Sequence, residues 1–148
     1  MNNYGYDGVE VLVVEDNERD ADITLHALER CNPNNKRYWV RDGFEALEFI
    51  NGSGAFADRD LRENPRLILL DLTMPRTSGL EVLRALRADE RTMAIPVVVM
   101  TESNQERDLA ACYELGTNGF VTKPLGLEAF TKAIARIGMY WLLVNRIT

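Results

Sequence analysis

An α/β fold with a parallel sheet is the prediction this sequence makes, and three observations carry it. β-Rich runs alternate with segments of helical period along the whole chain. Two runs, residues 67–70 (LILL) and 97–100 (VVVM), are apolar without a break, as strands buried on both faces are. Each strand is followed by a helix instead of a hairpin turn, and right-handed crossovers then put helices on both faces of the sheet.

The elements follow in order. Residues 9–14 (VEVLVV) form a strand that stops at Glu15-Asp16-Asn17. A helix over 20–31 follows, with Ala21, Leu25 and Leu28 on one stripe, and Asn32-Pro33-Asn34-Asn35 ends it. Residues 38–41 are a short strand, and Phe44, Leu47, Phe49 and Ile50 mark a second helix. Residues 51–64, with two glycines and mixed charge, read as a loop with a partial turn. Strand 67–70 ends at Asp71, and helix 79–88 carries Leu80, Leu83 and Leu86 in phase. Strand 97–100 ends at Thr101, and helix 106–115 ends before Gly116. Strand 119–122 meets Lys123-Pro124, and a last helix starts at Leu127, with Phe130, Ile134, Ile137 and Trp141 at alternating threes and fours. The whole of 1–148 reads as one domain, its core over residues 8–138 and an aromatic and apolar extension over 139–148.

Composition narrows the function. The chain is 46% hydrophobic, enough to bury a sizeable core. Its formal net charge of -6 disfavours nucleic acid and anionic membranes, which need excess Lys and Arg. No apolar run reaches the ~20 residues of a spanning helix, and the N-terminus lacks the pattern of a secretory signal. A cytoplasmic protein without direct DNA or membrane binding is expected. Cys31 and Cys112 are isolated and read as packing residues rather than a disulfide.

Ligands of such sheets sit at the carboxyl ends of the strands. There the sequence puts Glu15 and Asp16 after the first strand, Asp71 after the third, Thr101 at the fourth and Lys123 after the fifth. Alone, each has an ordinary reading: an Asp as helix cap or turn, Thr101 as a cap, Lys123 as a solvated charge. Together they form a chemical set. Three crowded carboxylates repel and invite a hard divalent cation, and Mg²⁺ is held by one or two carboxylates plus phosphate oxygens. Asp16 and Asp71 suit direct ligation, with Glu15 direct or through water. Lys123 supplies a point charge for phosphate and Thr101 a hydroxyl donor. Asp71, ionised at neutral pH, is the expected nucleophile and forms an aspartyl phosphate.

The segments 11–17 (VLVVEDN), 69–75 (LLDLTMP) with Gly79, and 120–124 (FVTKP) closely resemble receiver domains of two-component signalling. The resemblance spans nearly the whole chain in order and spacing. It implies the flavodoxin-like (βα)5 doubly wound sheet with strand order 2-1-3-4-5. It also implies a response regulator: a phosphoacceptor that assists its own phosphorylation and dephosphorylation without turning over a separate substrate. Asp71 is then the acceptor of a phosphoryl group from a sensor histidine kinase or a histidine phosphotransfer protein. Glu15 and Asp16 position Mg²⁺, and the backbone carbonyl of Thr73 is a further metal ligand. Thr101 is the switch hydroxyl, Lys123 the phosphate-contacting lysine, and Phe120 the aromatic that moves inward. A cis Lys123-Pro124 bond is implied as well. The stretch from Leu69, the polar loop before it and the aromatic tail resemble the single-domain regulators paired with phytochromes, which implies a light-sensing kinase as partner.

One position departs from the pattern. Glu102 follows Thr101, where receivers usually carry a small residue; it either hinders access to the acceptor or points into solvent, and the latter reading is preferred. The apolar cluster Tyr140-Trp141-Leu142-Leu143-Val144 is expected to extend the last helix and to leave a patch for homodimerisation through the fourth helix, fifth strand, fifth helix and tail. His26 reads as a surface or helix-packing residue. Two rivals fail on the residues: an FMN module needs a hydroxyl- and glycine-rich loop where Glu15-Asp16-Asn17 stands, and an aspartyl-phosphate phosphatase needs an Asp where Thr73 stands. A degenerate receiver that binds partners without phosphorylation is the remaining alternative.

Overall fold

Four apolar residues in succession make β1 (Val11–Val14) and β3 (Leu67–Leu70), and β4 (Val97–Thr101) adds a closing threonine; every residue of the three is buried. The computed structural model describes residues 6–72, 74, 76–102, 106–124 and 126–144. The outer strands β2 (Arg37–Val40) and β5 (Gly119–Thr122) are largely half-buried, as edges are. All pairings are parallel and the order is β2-β1-β3-β4-β5, the flavodoxin-like doubly wound arrangement. The register sets Val14 beside both Val40 and Leu70, and Leu70 beside Val99. The strands therefore end nearly level, and the residues that follow them come together at one edge.

Alternation along each strand supplies two cores. Val11, Val13, Leu67, Leu69, Val98 and Met100 pack with residues of α1 (Glu18–Cys31) and α5 (Leu127–Gly138). Leu12, Val14, Ile68, Leu70, Val97 and Val99 pack with α2 (Gly43–Asn51), α3 (Gly79–Ala88) and α4 (Glu106–Glu114). Each such side chain, fully buried, contributes roughly 1.5–3 kcal/mol by removal from water.

Three helices start at the carboxyl edge of the sheet on side-chain caps, which fixes how the chain leaves each strand. Asn17 caps α1 by accepting from the Asp20 amide, Asp42 caps α2 by accepting from Glu45, and Ser78 with Glu81 forms a reciprocal capping box on α3.

The structure moves several expected boundaries. β1 begins at Val11, and the Glu10 side chain before it accepts from Asn35 and Arg66. β2 sits one residue earlier than expected, and α1 begins at Glu18 because Asn17 is its cap. The buried core reaches back to Tyr6, whose ring packs edge-on against Tyr38, Phe49 and Phe56 and whose hydroxyl donates to Asp58. The loop after α2 holds a 3-10 turn, Gly54–Phe56, and is pinned by buried Arg59, which donates to the Phe49, Ile50 and Glu63 carbonyls. Beyond α5 the chain continues as a π-helical segment, Met139–Val144; Trp141 packs partly against the α1/α5 core, while Met139 and Tyr140 are exposed. Neither cysteine is in a disulfide. His26 is exposed on α1 against the Asp22 carbonyl.

Candidate acidic metal and phosphoryl site

Level strand ends deliver the expected residues to one cleft of about 260 Å³, lined by Glu15, Asp16, Asp20, Asp71, Thr101 and Lys123, with Glu102 exposed at its rim. The backbone locks β1 to its neighbours here: Glu15 donates to the Val40 carbonyl and Asp71 to the Val14 carbonyl, each at 3.1 Å. Trp39 at the end of β2 donates its indole N–H to the Glu15 carbonyl at 2.7 Å.

Lys123 is the centre of the charges. Its ammonium lies 2.7 Å from Glu15 Oε1, 2.9 Å from Asp20 Oδ2 and 3.2 Å from Asp71 Oδ2. All four side chains are buried, Lys123 to 6% exposure. Burial works against the ammonium's charge, but hydrogen bonds to Glu15 and Asp20 and the charges of Asp71 and Glu15 outweigh it, and the Lys123 pKa is raised. Burial pushes the Glu15 carboxyl up to about 7, helped by the charge of Asp71 and opposed by Lys123. Glu15 therefore changes its proton readily near neutral pH, whereas Lys123 stays cationic.

Ligand atoms of Glu15, Asp16 and Asp71 all lie within 4.8 Å of one another. Carboxylate oxygens at that spacing fit a hard divalent cation, and the donor set is the all-oxygen kind that Mg²⁺ takes. Glu15, Asp16 and Asp71 are the residues that would hold it. Thr73, the expected carbonyl ligand, lies outside the described residues.

Thr101 closes β4 fully buried, and its carbonyl accepts from the Lys123 amide at 2.8 Å. Phe120 is half-buried beside Val99 and packs into the same core that receives Val97 and Val99. Thr101 shares that side of β4 by alternation, so Phe120 stands behind it.

One expectation is corrected. The described residues contain no cis peptide bond, so Lys123-Pro124 is trans, the form favoured by about 0.5–1 kcal/mol for an X-Pro bond. One site residue escaped the sequence: Asp20, inside the first turn of α1, turns its carboxylate to Lys123. Nothing in the sequence singles it out, since Asp16 precedes the Asn17 cap and no helical spacing ties the two.

Known proteins share this sequence pattern and fold. The family described as the response regulator receiver domain matches residues 11–135. The probable methanogenesis regulatory protein FilR2 of Methanothrix harundinacea is 38% identical over 92% of this chain and 85% of its own length. Response regulator Rcp1 of Synechocystis is 34% identical over 89% of this chain and 88% of its own. The solved Mn²⁺-bound form of Rcp1 superposes with a TM-score of 0.87 over 93% of this chain and 97% of that one. The bacteriophytochrome response regulator AtBRR is 44% identical, with a TM-score of 0.71 over 92% of this chain and 96% of its own. A match that runs from the first residue of β1 into α5 is a match to the whole sheet, and the chain belongs to the response regulator receiver family, related to the phytochrome response regulators.

Proposed function

We propose that this receiver accepts a phosphoryl group on Asp71 from the phosphohistidine of a sensor kinase or phosphotransfer protein, with Mg²⁺ at Glu15, Asp16 and Asp71. The observation that carries the reading is the buried Lys123 ammonium, 3.2 Å from Asp71 Oδ2 among three carboxylates. An Asp71 oxygen forms the new O–P bond as the donor's P–N bond breaks. The electron pair stays on the imidazole, which takes a proton. Glu15, Asp16 and Asp71 would hold the Mg²⁺, which would supply positive charge against that of the transferring group. Lys123 leaves part of its acidic company to meet the phosphoryl oxygens, and Thr101 donates to them. Phe120 then has room to move inward, and the β5 edge presents a changed surface. The kinase is of the phytochrome type on the strength of the likeness to the bacteriophytochrome response regulator AtBRR, and the proposed location is the cytoplasm.

The test is intact mass after incubation with Mg²⁺ and acetyl phosphate. The protein gains one phosphoryl group, Asp71→Asn gains none, and EDTA prevents the gain. Absence of uptake by the wild type favours the alternative, a module that binds partners without phosphorylation.

The output surface is a homodimer through α4, β5, α5 and the tail. Tyr113 on α4 and Met139 and Tyr140 beyond α5 are each more than half exposed, an apolar series on one continuous run of elements. Truncation after Gly138 yields a folded monomer by light scattering; an unchanged dimer overturns this surface.

A further inference from the structure

Arg76 is the one non-glycine residue with positive φ among the described residues, at +64°. L side chains avoid this conformation, because Cβ crowds the carbonyl oxygen that follows. Such residues persist where the surroundings hold them. Here the surroundings are specific. Arg76 Nε and a terminal nitrogen donate to Asp42 Oδ2 at 3.0 and 2.6 Å, and the guanidinium lies 4.6 Å from the Phe44 ring centroid. Asp42 is itself fixed, since its other oxygen accepts from the Glu45 amide to cap α2.

The location gives the contact its meaning. Arg76 follows Asp71 by five residues, in the connection from β3 to α3. The near end of that connection is closed by Gly79, whose amide donates to the Leu72 carbonyl at 3.1 Å and whose Cα abuts the Asp71 carbonyl. Farther from the acceptor, Arg76 is held by Asp42 and Phe44, beside the close seat of the Thr77 backbone on Gly43. Two independent contacts, one ionic and one stacked, fasten a residue in a conformation it would otherwise leave.

We propose that Arg76 is a positioning residue for the phosphoryl site: its tie to Asp42 and Phe44 holds the connection after Asp71 against the start of α2, and so fixes Asp71 against Glu15 and Asp16 while metal and phosphoryl group arrive. The proposal rests on the functional reading of Asp71 given above. Arg76 touches neither metal nor phosphate and acts through the backbone that carries Asp71.

Arg76→Gly separates positioning from general stability. Glycine adopts positive φ freely, so the variant loses the tie without the conformational strain. Its melting temperature is expected to stay at or above that of the wild type. Its Mg²⁺ affinity, followed by calorimetric titration, falls about tenfold, the scale for loss of a supporting contact to a metal site. Phosphorylation by acetyl phosphate at subsaturating Mg²⁺ slows in the same proportion. Arg76→Lys keeps the charge but not the fork or the stacking plane, and falls between the two. Wild-type Mg²⁺ affinity in Arg76→Gly overturns the proposal, as does a lowered melting temperature in step with the lost affinity. A wild type that takes up no phosphoryl group sinks the functional reading itself; a wild type that does, beside unaffected Arg76 variants, sinks this inference alone.

Discussion

Lys123→Met is expected to destabilise the protein by about 3 kcal/mol at pH 8, because it leaves buried carboxylates without their cation. The lysine makes three ion pairs at once, to Glu15, Asp20 and Asp71, and all the side chains involved are at most 11% exposed. Methionine fills much of the space and removes only the charge, so packing loss is small. The remaining acids then repel one another, and the cheapest relief is a proton. Glu15 is already the group nearest that point, its carboxyl pushed up to about 7 by burial.

The pH dependence follows with a definite sign. A carboxyl whose folded pKa stands above its ordinary 4.5 binds more protons folded than unfolded between those values. Its contribution to stability therefore falls as pH rises through that window. Without Lys123 the window extends higher, since the opposing cation is gone. The deficit of Lys123→Met is thus greatest at pH 8 and shrinks at pH 5.5, where Glu15 is protonated. Urea unfolding at the two pH values measures it. Mg²⁺ at pH 8 restores part of the loss by neutralising the same acids. Equal deficits at both pH values would mean that the carboxylates are not in electrostatic contact. Phosphoryl uptake by the variant is expected to fall by a factor of roughly one hundred or more, the scale for removing one preorganised donor to a developing charge.

The sequence shows Glu15, Asp16, Asp71, Thr101 and Lys123 as a site because each follows an apolar run, and parallel strands with level ends have one place to put such residues. That inference needs no side-chain geometry. Asp20 is different: it stands among several acids in the segment from Glu15 to Asp22, and nothing in composition says which of them turns inward. Only the Asn17 cap, which fixes where α1 begins, settles that Asp20 faces Lys123. Arg59 and Arg76 were equally illegible. A guanidinium in a polar loop reads as solvated, yet one is buried on carbonyls and the other tied to a helix cap, because long-range packing decides both. Half-buried β2 slipped by one residue for a related reason, since an edge strand mixes polar with apolar residues and its pattern is weak, whereas β5 falls at 119–122 as expected.

Two glycines carry a consequence larger than their size. Gly79 and Gly43 open helices, where alanine ordinarily improves stability. Here the sign reverses. A Cβ on Gly79 would stand 2.3 Å from the Asp71 carbonyl oxygen and 2.6 Å from Leu72 Cα, and one on Gly43 2.0 Å from the Thr77 carbonyl oxygen. These neighbours are backbone and cannot rotate aside. Each substitution is expected to cost about 3 kcal/mol, the upper range for overpacking, read from urea unfolding. The internal control is Gly119→Ala, whose Cβ would meet Val98 methyls at an ordinary 3.6 Å and should leave stability nearly unchanged. The two costly positions differ in function. Gly79→Ala displaces the backbone of the acceptor itself, so phosphoryl uptake should fall more than stability alone predicts, even under conditions where the variant is fully folded. Gly43→Ala presses on Thr77, next to Arg76, and so disturbs the seat of the same connection on α2; its uptake should also fall beyond its folded fraction, but less than that of Gly79→Ala, which meets the Asp71 carbonyl itself. If Gly79→Ala unfolds no more easily than Gly119→Ala, the close seating of α3 on the acceptor's backbone is wrong, and with it the idea that the start of this helix sets where Asp71 stands.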